Sequence, residues 1–312
     1  MISVVIPAYN ESANIQLTVN EIIKGLKSTA YVKRFEILVM DDHSSDGTFE
    51  QVVNMQLPEV RGIRLSQNCG SYTAIRAGLN EANGDAVICI SADGQDNPEA
   101  IPKMVEKWAN GAQVVWALRK SRDNEPWLIK LPALLFYKIL RWVTPKYISV
   151  SKMISRADFF LLDRKVVNAI NTCKERSTSL VGLILWSGFN QNFVEYDRKT
   201  RRYGNSKWNF SRRLDLAKDW IIAFSGIPLR SMLWIGFTIA FLGLFYALFV
   251  FILHFTEGNA VEGWTSIMIV LLIIGGLNIA MLGLIGEYLW RNLEESRKRP
   301  LYFIEKNSAQ DI

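Results

Sequence analysis

The stretch Val87–Pro102, VICISADGQDNPEAIP, decides how the first third of the chain is read. Its apolar, β-branched start stops at Ser91, and a short continuous apolar run of this kind marks a strand buried on both faces. Asp93, Gln95 and Asp96 follow at once, and Pro98 then opens a helical pattern, PEAIPKMVEKW, as proline does at a first helical position. An acid at a strand end is ordinarily a turn or a helix cap. The alternative is a seat for a divalent cation and the diphosphate it carries. Mg2+ and Mn2+ prefer oxygen ligands and are often held by one or two protein groups plus substrate phosphates. Asp93 and the Gln95 carbonyl would supply two such oxygens. Asp96 reads equally as a group behind those ligands or as the helix N-cap before Pro98.

Outward from this stretch, short apolar runs recur at 2–7, 35–42, 60–66, 85–91 and 112–119, with helical patterns between them. Ile15, Val19, Ile22, Ile23 and Leu26 fall on one helical face, and Ala74 and Gly78 give a later helix a small-residue face for close packing. Strand–helix alternation with nearly continuous apolar strands predicts an α/β fold with a mostly parallel sheet covered on both faces. Ligands of such sheets bind beyond the carboxyl ends of the strands. Those ends here are Pro7-Ala8-Tyr9-Asn10-Glu11, Asp41-Asp42-His43-Ser44-Ser45-Asp46 and Ser91–Asp96. Three polar or acidic ends on one rim weaken the reading of each as a mere turn. Tyr9 offers a flat face for a base, and Glu11 and Asp42 can accept hydrogen bonds from base N–H groups or ribose hydroxyls. In QNCGSYTAIRAG (67–78) a glycine precedes a helix start, where free N–H groups can reach a polar ligand.

The rest of the 312 residues is organised differently. Ser231–Phe255 has no charged residue apart from His254, and Trp264–Gly286 has none. Each exceeds the ~20 residues that span a bilayer. The loop between them, TEGNAVEG, has two Glu and no Lys or Arg, whereas basic residues cluster before the first run and after the second. The positive-inside rule then places both chain ends in the cytoplasm, and the basic clusters suit an anionic leaflet. The expected organisation is a cytoplasmic catalytic domain over 1–210, a juxtamembrane amphipathic helix over 211–230, two transmembrane helices within 231–290 (231–255 and 264–287) and a cytoplasmic tail over 291–312. WLIKLPALLFYKILRWV (127–143) is a second amphipathic segment, packed on the sheet or lying at the bilayer surface. KNSAQDI at the end reads as a frayed tail. The three cysteines lack CxxC spacing and read as reduced and mostly buried, and two histidines are too few for a His-based zinc site. No basic leader precedes the apolar run at Ile2, so no signal peptide is expected. The net charge of +6 is modest, and no nucleic-acid partner is expected.

Four motifs, IPAYNE, MDDHSSDGT, NCGSYTAIRAG and SADGQDNPE, resemble in order and spacing the inverting family 2 glycosyltransferases of GT-A fold. RADFFLLDRKVV, RRYGNSKWNF, FSGIPLR and GLIGEYLWRNLEESRKRPLYFIE narrow the resemblance to the polyprenyl-phosphate glycosyltransferases with two C-terminal spans. These include bactoprenol glucosyltransferases, aminoarabinose-type undecaprenyl-phosphate transferases and dolichol-phosphate mannose synthases. The resemblance implies that Pro7, Tyr9, Glu11 and Asp42 bind the nucleoside, Asp93 contacts the donor and Asp93 and Gln95 bind Mg2+ or Mn2+. It implies that Asp158 is the acid of the acceptor cleft and that Arg201, Ser206 and Lys207 meet the phosphates of donor and lipid. The implied reaction moves a hexose, glucose first, from a UDP-linked donor to polyprenyl phosphate at the inner face of the cytoplasmic membrane. A flippase, a downstream transferase and a homo-oligomer are the partners this implies. Three positions depart from the family pattern: Ser91 where Asp is common, His43 where Gly is usual, and Phe160 where Arg is common, which would remove a positive charge near the acceptor. Two other readings compete with this one. A processive polysaccharide synthase would need a QxxRW motif and more spans, and LILWSGF lacks the Arg-Trp pair. A non-catalytic sugar-nucleotide-binding scaffold has Ser91 as its support.

Overall fold

The computed structural model describes residues 1–120, 159–173, 175, 179–197, 199, 227–257 and 263–309. Asp158, Arg201, Ser206, Lys207 and the amphipathic segments at 127–143 and 214–224 lie outside them. The chain forms two compact units, Met1–Asp219 with Pro300–Ile312, and Trp220–Arg299.

The first unit is an α/β sandwich around one eight-stranded sheet of order β7-β5-β6-β4-β1-β2-β3-β8. Its strands are β1 (Ile2–Ala8), β2 (Phe35–Asp41), β3 (Val60–Leu65), β4 (Ala86–Cys89), β5 (Val114–Arg119), β6 (Phe159–Asp163), β7 (Gln191–Tyr196) and β8 (Ile304–Asn307). The helices are α1 (Ser12–Lys27), α2 (Thr48–Asn54), α3 (Ser71–Glu81), α4 (Ile101–Ala109), α5 (Arg164–Thr172) and α6 (Leu180–Trp186). β1 pairs in parallel with β2 and β4, β2 with β3, and β5 with β7, while β6 runs antiparallel between β4 and β5. The sheet is thus mostly parallel, as expected from its near-continuous apolar strands.

Alternation along β1 sorts the two faces. Ile2, Val4, Ile6 and Ala8 join Ile15, Val19, Ile22 and Leu26 of α1 and Met104 and Val105 of α4 in one core. Val5 faces the other way, toward α3. At Gly78 an added Cβ would lie 2.3 Å from Val5 Cγ1 and 3.0 Å from Met40 Cγ, so the expected close packing of this helix depends on the missing side chain.

The C-terminal residues correct the expectation of a frayed tail. Ile304–Asn307 forms β8 and pairs antiparallel with β3, with Arg64 opposite Lys306 and Ile63 opposite Asn307. The Ser308 amide donates to the Gly62 carbonyl and Ser308 Oγ accepts from the Gly62 amide. An otherwise open sheet edge is thereby covered.

Among the described residues, the second unit comprises α7 (Ile227–Glu257, 31 residues) and α8 (Trp264–Ser296, 33 residues). Among the described residues, Ile273–Ser296 is long and apolar enough to cross a membrane, and Trp234–Tyr246 is a shorter apolar stretch. Trp234, Phe237 and Phe241 on α7 and Ile279 and Leu282 on α8 are exposed. The cysteines are all free, but Cys89 alone is fully buried, and burial pushes its thiol pKa up, while Cys69 and Cys173 are half-buried.

Candidate active site

The carboxyl ends of β1, β2 and β4 bring the three polar segments to one rim. The antiparallel β6 adds its beginning to the same rim, because Phe160 lies opposite Cys89 and Phe159 opposite Ala117. β7, parallel to β5, adds its end at Tyr196.

Beyond β1, Tyr9 is exposed. Pro7 is half-buried within β1 opposite Met40. Asn10 takes a left-handed backbone, φ 53°, donates its amide to Ser44 Oγ at 2.9 Å and accepts from the Ser45 amide at 2.9 Å. The Glu11 amide donates to Thr48 Oγ1 at 3.0 Å, and its carboxylate accepts from Asn14 Nδ2 at 2.6 Å. Thr48 and Ser12 are tied in turn to Asp46, whose carboxylate accepts from both backbone amides and from Thr48 Oγ1. Burial works against ionisation of Asp46, but these hydrogen bonds outweigh it and hold its pKa below the ordinary value. The loops after β1 and β2 are therefore one hydrogen-bonded body.

Asp42 is buried, and its two oxygens accept from the Cys69 and Gly70 amides at 2.7 and 2.8 Å. Burial raises its pKa, partly offset by those two bonds. The Cys69 and Gly70 amides just before α3 are thus engaged, and Asp42 acts as a clamp on the Asn68–Gly70 segment. Its neighbour Asp41 is 1% exposed. It accepts from the Ser44 amide and from Arg64 Nη1 at 3.0 Å, and burial raises its pKa against that ion pair. His43 has φ 60°, which explains why glycine suits this position. Its Nδ1 lies 3.2 Å from the Leu65 carbonyl and 3.5 Å from Glu305 Oε2, which ties the ring toward β3 and β8.

The loop after β4 collects oxygen atoms. Asp93 Oδ1 accepts from Ser91 Oγ at 2.9 Å and from the Gln95 amide at 3.1 Å. Ser91 Oγ also lies 2.6 Å from Asp96 Oδ2. Asp96 is not the helix N-cap: Asn97 is, accepting from the Glu99 amide ahead of the 3-10 turn Pro98–Ala100. Asp96 is buried instead, 2% exposed, and accepts from Tyr196 Oη at 2.5 Å. Burial, and the carboxylate of Asp96, push the Tyr196 phenol up, so it remains a proton donor. The main-chain carbonyl of Gln95 accepts from the Lys199 amide at 2.9 Å. Thr18 Oγ1 donates to the Ala92 carbonyl at 3.1 Å and anchors the loop to α1. Tyr196 and Lys199 brace this loop, and no local sequence signal ties them to a segment a hundred residues earlier.

Among the described residues no three His, Cys, Asp or Glu side chains gather as a metal cage. The donor set of Asp93, Gln95 and Ser91 is all oxygen, which fits a hard divalent cation completed by substrate phosphates. Phe160 is buried and packs edge-on against Trp116, ring centroids 5.5 Å apart.

Comparison with known proteins agrees with this architecture. The model of "Glycosyl transferase family 2" matches residues 3–174, and that of the "GtrB C-terminal hairpin" matches 227–291. A glycosyltransferase of Synechocystis sp. is 39% identical over 308 residues, covering 97% of this chain and 94% of its own. The bactoprenol glucosyl transferase of Shigella phage SfV is 35% identical over 313 residues, with 99% of each chain covered. The crystal structure of glucosyl-3-phosphoglycerate synthase from Mycobacterium tuberculosis, in complex with Mn2+, UDP and phosphoglyceric acid, shares the fold at a TM-score of 0.51 and 18% identity, covering 71% of this chain and 76% of that one. A GT-A type sheet with its acidic loops on one rim, matched by a family model over more than half of the chain and by relatives along nearly all of it, makes this protein a member of glycosyltransferase family 2.

Proposed function

We propose that the protein transfers a hexose, glucose first, from a UDP-linked donor to polyprenyl phosphate at the cytoplasmic face of the membrane, with inversion at the anomeric carbon. The observation that carries this is the meeting of the Tyr9–Glu11, Asp41–Asp46 and Ser91–Asp96 segments on one rim, in a chain matched end to end by a bactoprenol glucosyl transferase. In this reading Tyr9 stacks on the base, with Pro7 beneath it. Glu11 and the segment clamped by Asp42 meet the nucleoside's polar edges. Asp93 and the Gln95 side chain hold Mg2+ or Mn2+. When bound, that ion neutralises the diphosphate as it leaves.

The acceptor's phosphate oxygen is anionic at pH 7, so the reaction does not require a strong base. Asp158 is assigned to orienting the acceptor or the sugar hydroxyls. Arg201, Ser206 and Lys207 are assigned to the phosphates, Arg by paired hydrogen bonds and Lys as a point charge. Asp158 lies one residue before β6, and Arg201 two residues after Lys199.

The proposed topology is a two-span hairpin, α7 and α8, with both chain ends in the cytoplasm. Chain connectivity supports it. β8 follows α8 yet pairs in the same sheet as β1, which precedes α7. A chain that leaves a sheet and rejoins it on the same side crosses a bilayer an even number of times. One span alone would strand β8 across the membrane from its partner. The acidic loop between the helices and the basic flanks agree with this orientation.

Purified full-length protein incubated with radiolabelled UDP-glucose, Mn2+ and undecaprenyl phosphate tests the reading. Label should pass into the organic phase, and Asp93→Ala should abolish that passage. Absence of labelled lipid with every UDP-sugar offered would overturn it.

A further inference from the structure

Glu305 of β8 reaches two residues beside the loop after β2. Its Oε2 accepts from Arg64 Nε at 3.1 Å and lies 3.5 Å from His43 Nδ1. The strand does not depend on this side chain for its place. Main-chain pairing with β3 and the two bonds between Ser308 and Gly62 hold it. Arg64 also donates to Asp41, and His43 Nδ1 lies 3.2 Å from the Leu65 carbonyl. Both neighbours of Nδ1 are acceptors, so this nitrogen carries a proton.

His43 sits at φ 60°, a conformation that is unfavourable for a residue with a Cβ and open to glycine. Backbone strain of this kind persists where surrounding contacts fix it, and it gathers at ligand clamps. Asn10, φ 53°, is the matching residue on the loop after β1. Its amide donates to Ser44 Oγ and its side chain accepts from the Ser45 amide, and these are the two residues after His43. Tyr9 directly precedes Asn10. The path from Glu305 to Tyr9 therefore runs through His43, Ser44 and Asn10, by polar contacts and peptide bonds alone. A contact that stiffens a binding loop raises affinity, because the loop is already ordered when the ligand arrives.

We propose that His43 and Glu305 are positioning residues for the donor: anchored on β8, they fix the Asp41–Ser45 segment, and through Asn10 also Tyr9, in the arrangement that receives the nucleoside. Neither acts on the reacting atoms. The strand that closes the β3 edge then has a second task, and the donor's seat is complete once the chain following α8 has docked. This rests on the reading of the Tyr9–Glu11 and Asp41–Asp46 segments as that seat, given above. It supplies a reason for histidine at a backbone position that glycine fills without strain.

The test is UDP binding to full-length protein, measured by titration calorimetry beside thermal unfolding of the same samples without ligand. His43→Gly and Glu305→Ala should each weaken UDP binding by ~3–5-fold, the range open to a single exposed contact. The losses should not add in the double variant, because both remove one contact. The unfolding midpoint of His43→Gly should be unchanged or raised, since glycine relieves the backbone. A merely structural role for the ring would instead lower the midpoint. His43→Asn should recover the affinity lost in His43→Gly: asparagine tolerates the left-handed backbone, and its Nδ2 stands as many bonds from Cα as the histidine Nδ1. Unaltered UDP affinity in either single variant, additive losses, a fall in affinity matched by a fall in midpoint, or no recovery with asparagine overturns the proposal. Tyr9→Ala separates the two levels. Undiminished UDP binding there removes the donor reading itself, whereas its loss alongside full binding in His43→Gly and Glu305→Ala removes this inference alone.

Discussion

Asp41, Arg64 and Glu305 show what a single side chain can hold together. Arg64 donates Nη1 to Asp41 at 3.0 Å and Nε to Glu305 at 3.1 Å, and Asp41 in turn holds the Ser44 amide. Ser44 Oγ accepts from the Asn10 amide, so an unbroken path of polar contacts runs from β8 to the loop after β1. The strength along that path is unequal. Glu305 is 40% exposed, and an ion pair of this kind contributes little. Asp41 is 1% exposed, and its burial makes the partner matter. Arg64→Met should lower stability by about 3–5 kcal/mol, because it leaves a buried carboxylate without its cation. The double variant Arg64→Met/Asp41→Asn should recover much of that loss. Thermal unfolding of the four proteins gives the coupling directly, and additive effects would refute it. The acidic pair at 41–42 was visible in the sequence. That one acid is an ion-paired strut and the other a clamp on the 68–70 turn was not, because their partners are 23 and 27 residues away.

At the scale of elements, α3 was readable in advance and β8 was not. The small face of α3 follows from residue size at helical spacing, and any helix with that face packs close. Gly78→Ala would press a Cβ to 2.3 Å from Val5 Cγ1, at the centre of β1, where neither partner is free to move. Overpacking of this kind costs typically ~1–3 kcal/mol, so a lowered unfolding midpoint is expected, together with weaker UDP binding if α3 and the turn before it are displaced. A midpoint equal to that of the unaltered chain would show that the helix can shift without penalty. β8 is a different case. Four residues, three of them exposed, have no apolar alternation to announce a strand. The strand exists because β3 offers an edge at the place where the chain returns.

For the whole molecule, that return has a topological consequence. The sheet contains strands from both sides of the α7–α8 segment, so the hairpin proposed above would begin and end on the same face of a bilayer. In a cysteine-free background, a cysteine at Gly263, ahead of α8, should react with a membrane-impermeant thiol reagent in intact cells. One at Lys298, past the end of α8, should react after lysis alone. Equal labelling of both in intact cells would contradict the hairpin.

Sequence by itself determined the strand–helix alternation, the polar ends of three strands and the two long apolar runs. Each of these is written in local periodicity or composition, which record whether a residue faces core, water or lipid. Tertiary structure alone decided that β6 enters antiparallel between β4 and β5, that the chain's end closes the β3 edge, and that Tyr196 and Lys199 brace the Ser91–Asp96 loop. Those arrangements depend on contacts between residues far apart in the chain. Whether a carboxylate clamps a loop, pairs with an arginine or faces a cation is set by what the fold brings within about 3 Å of it.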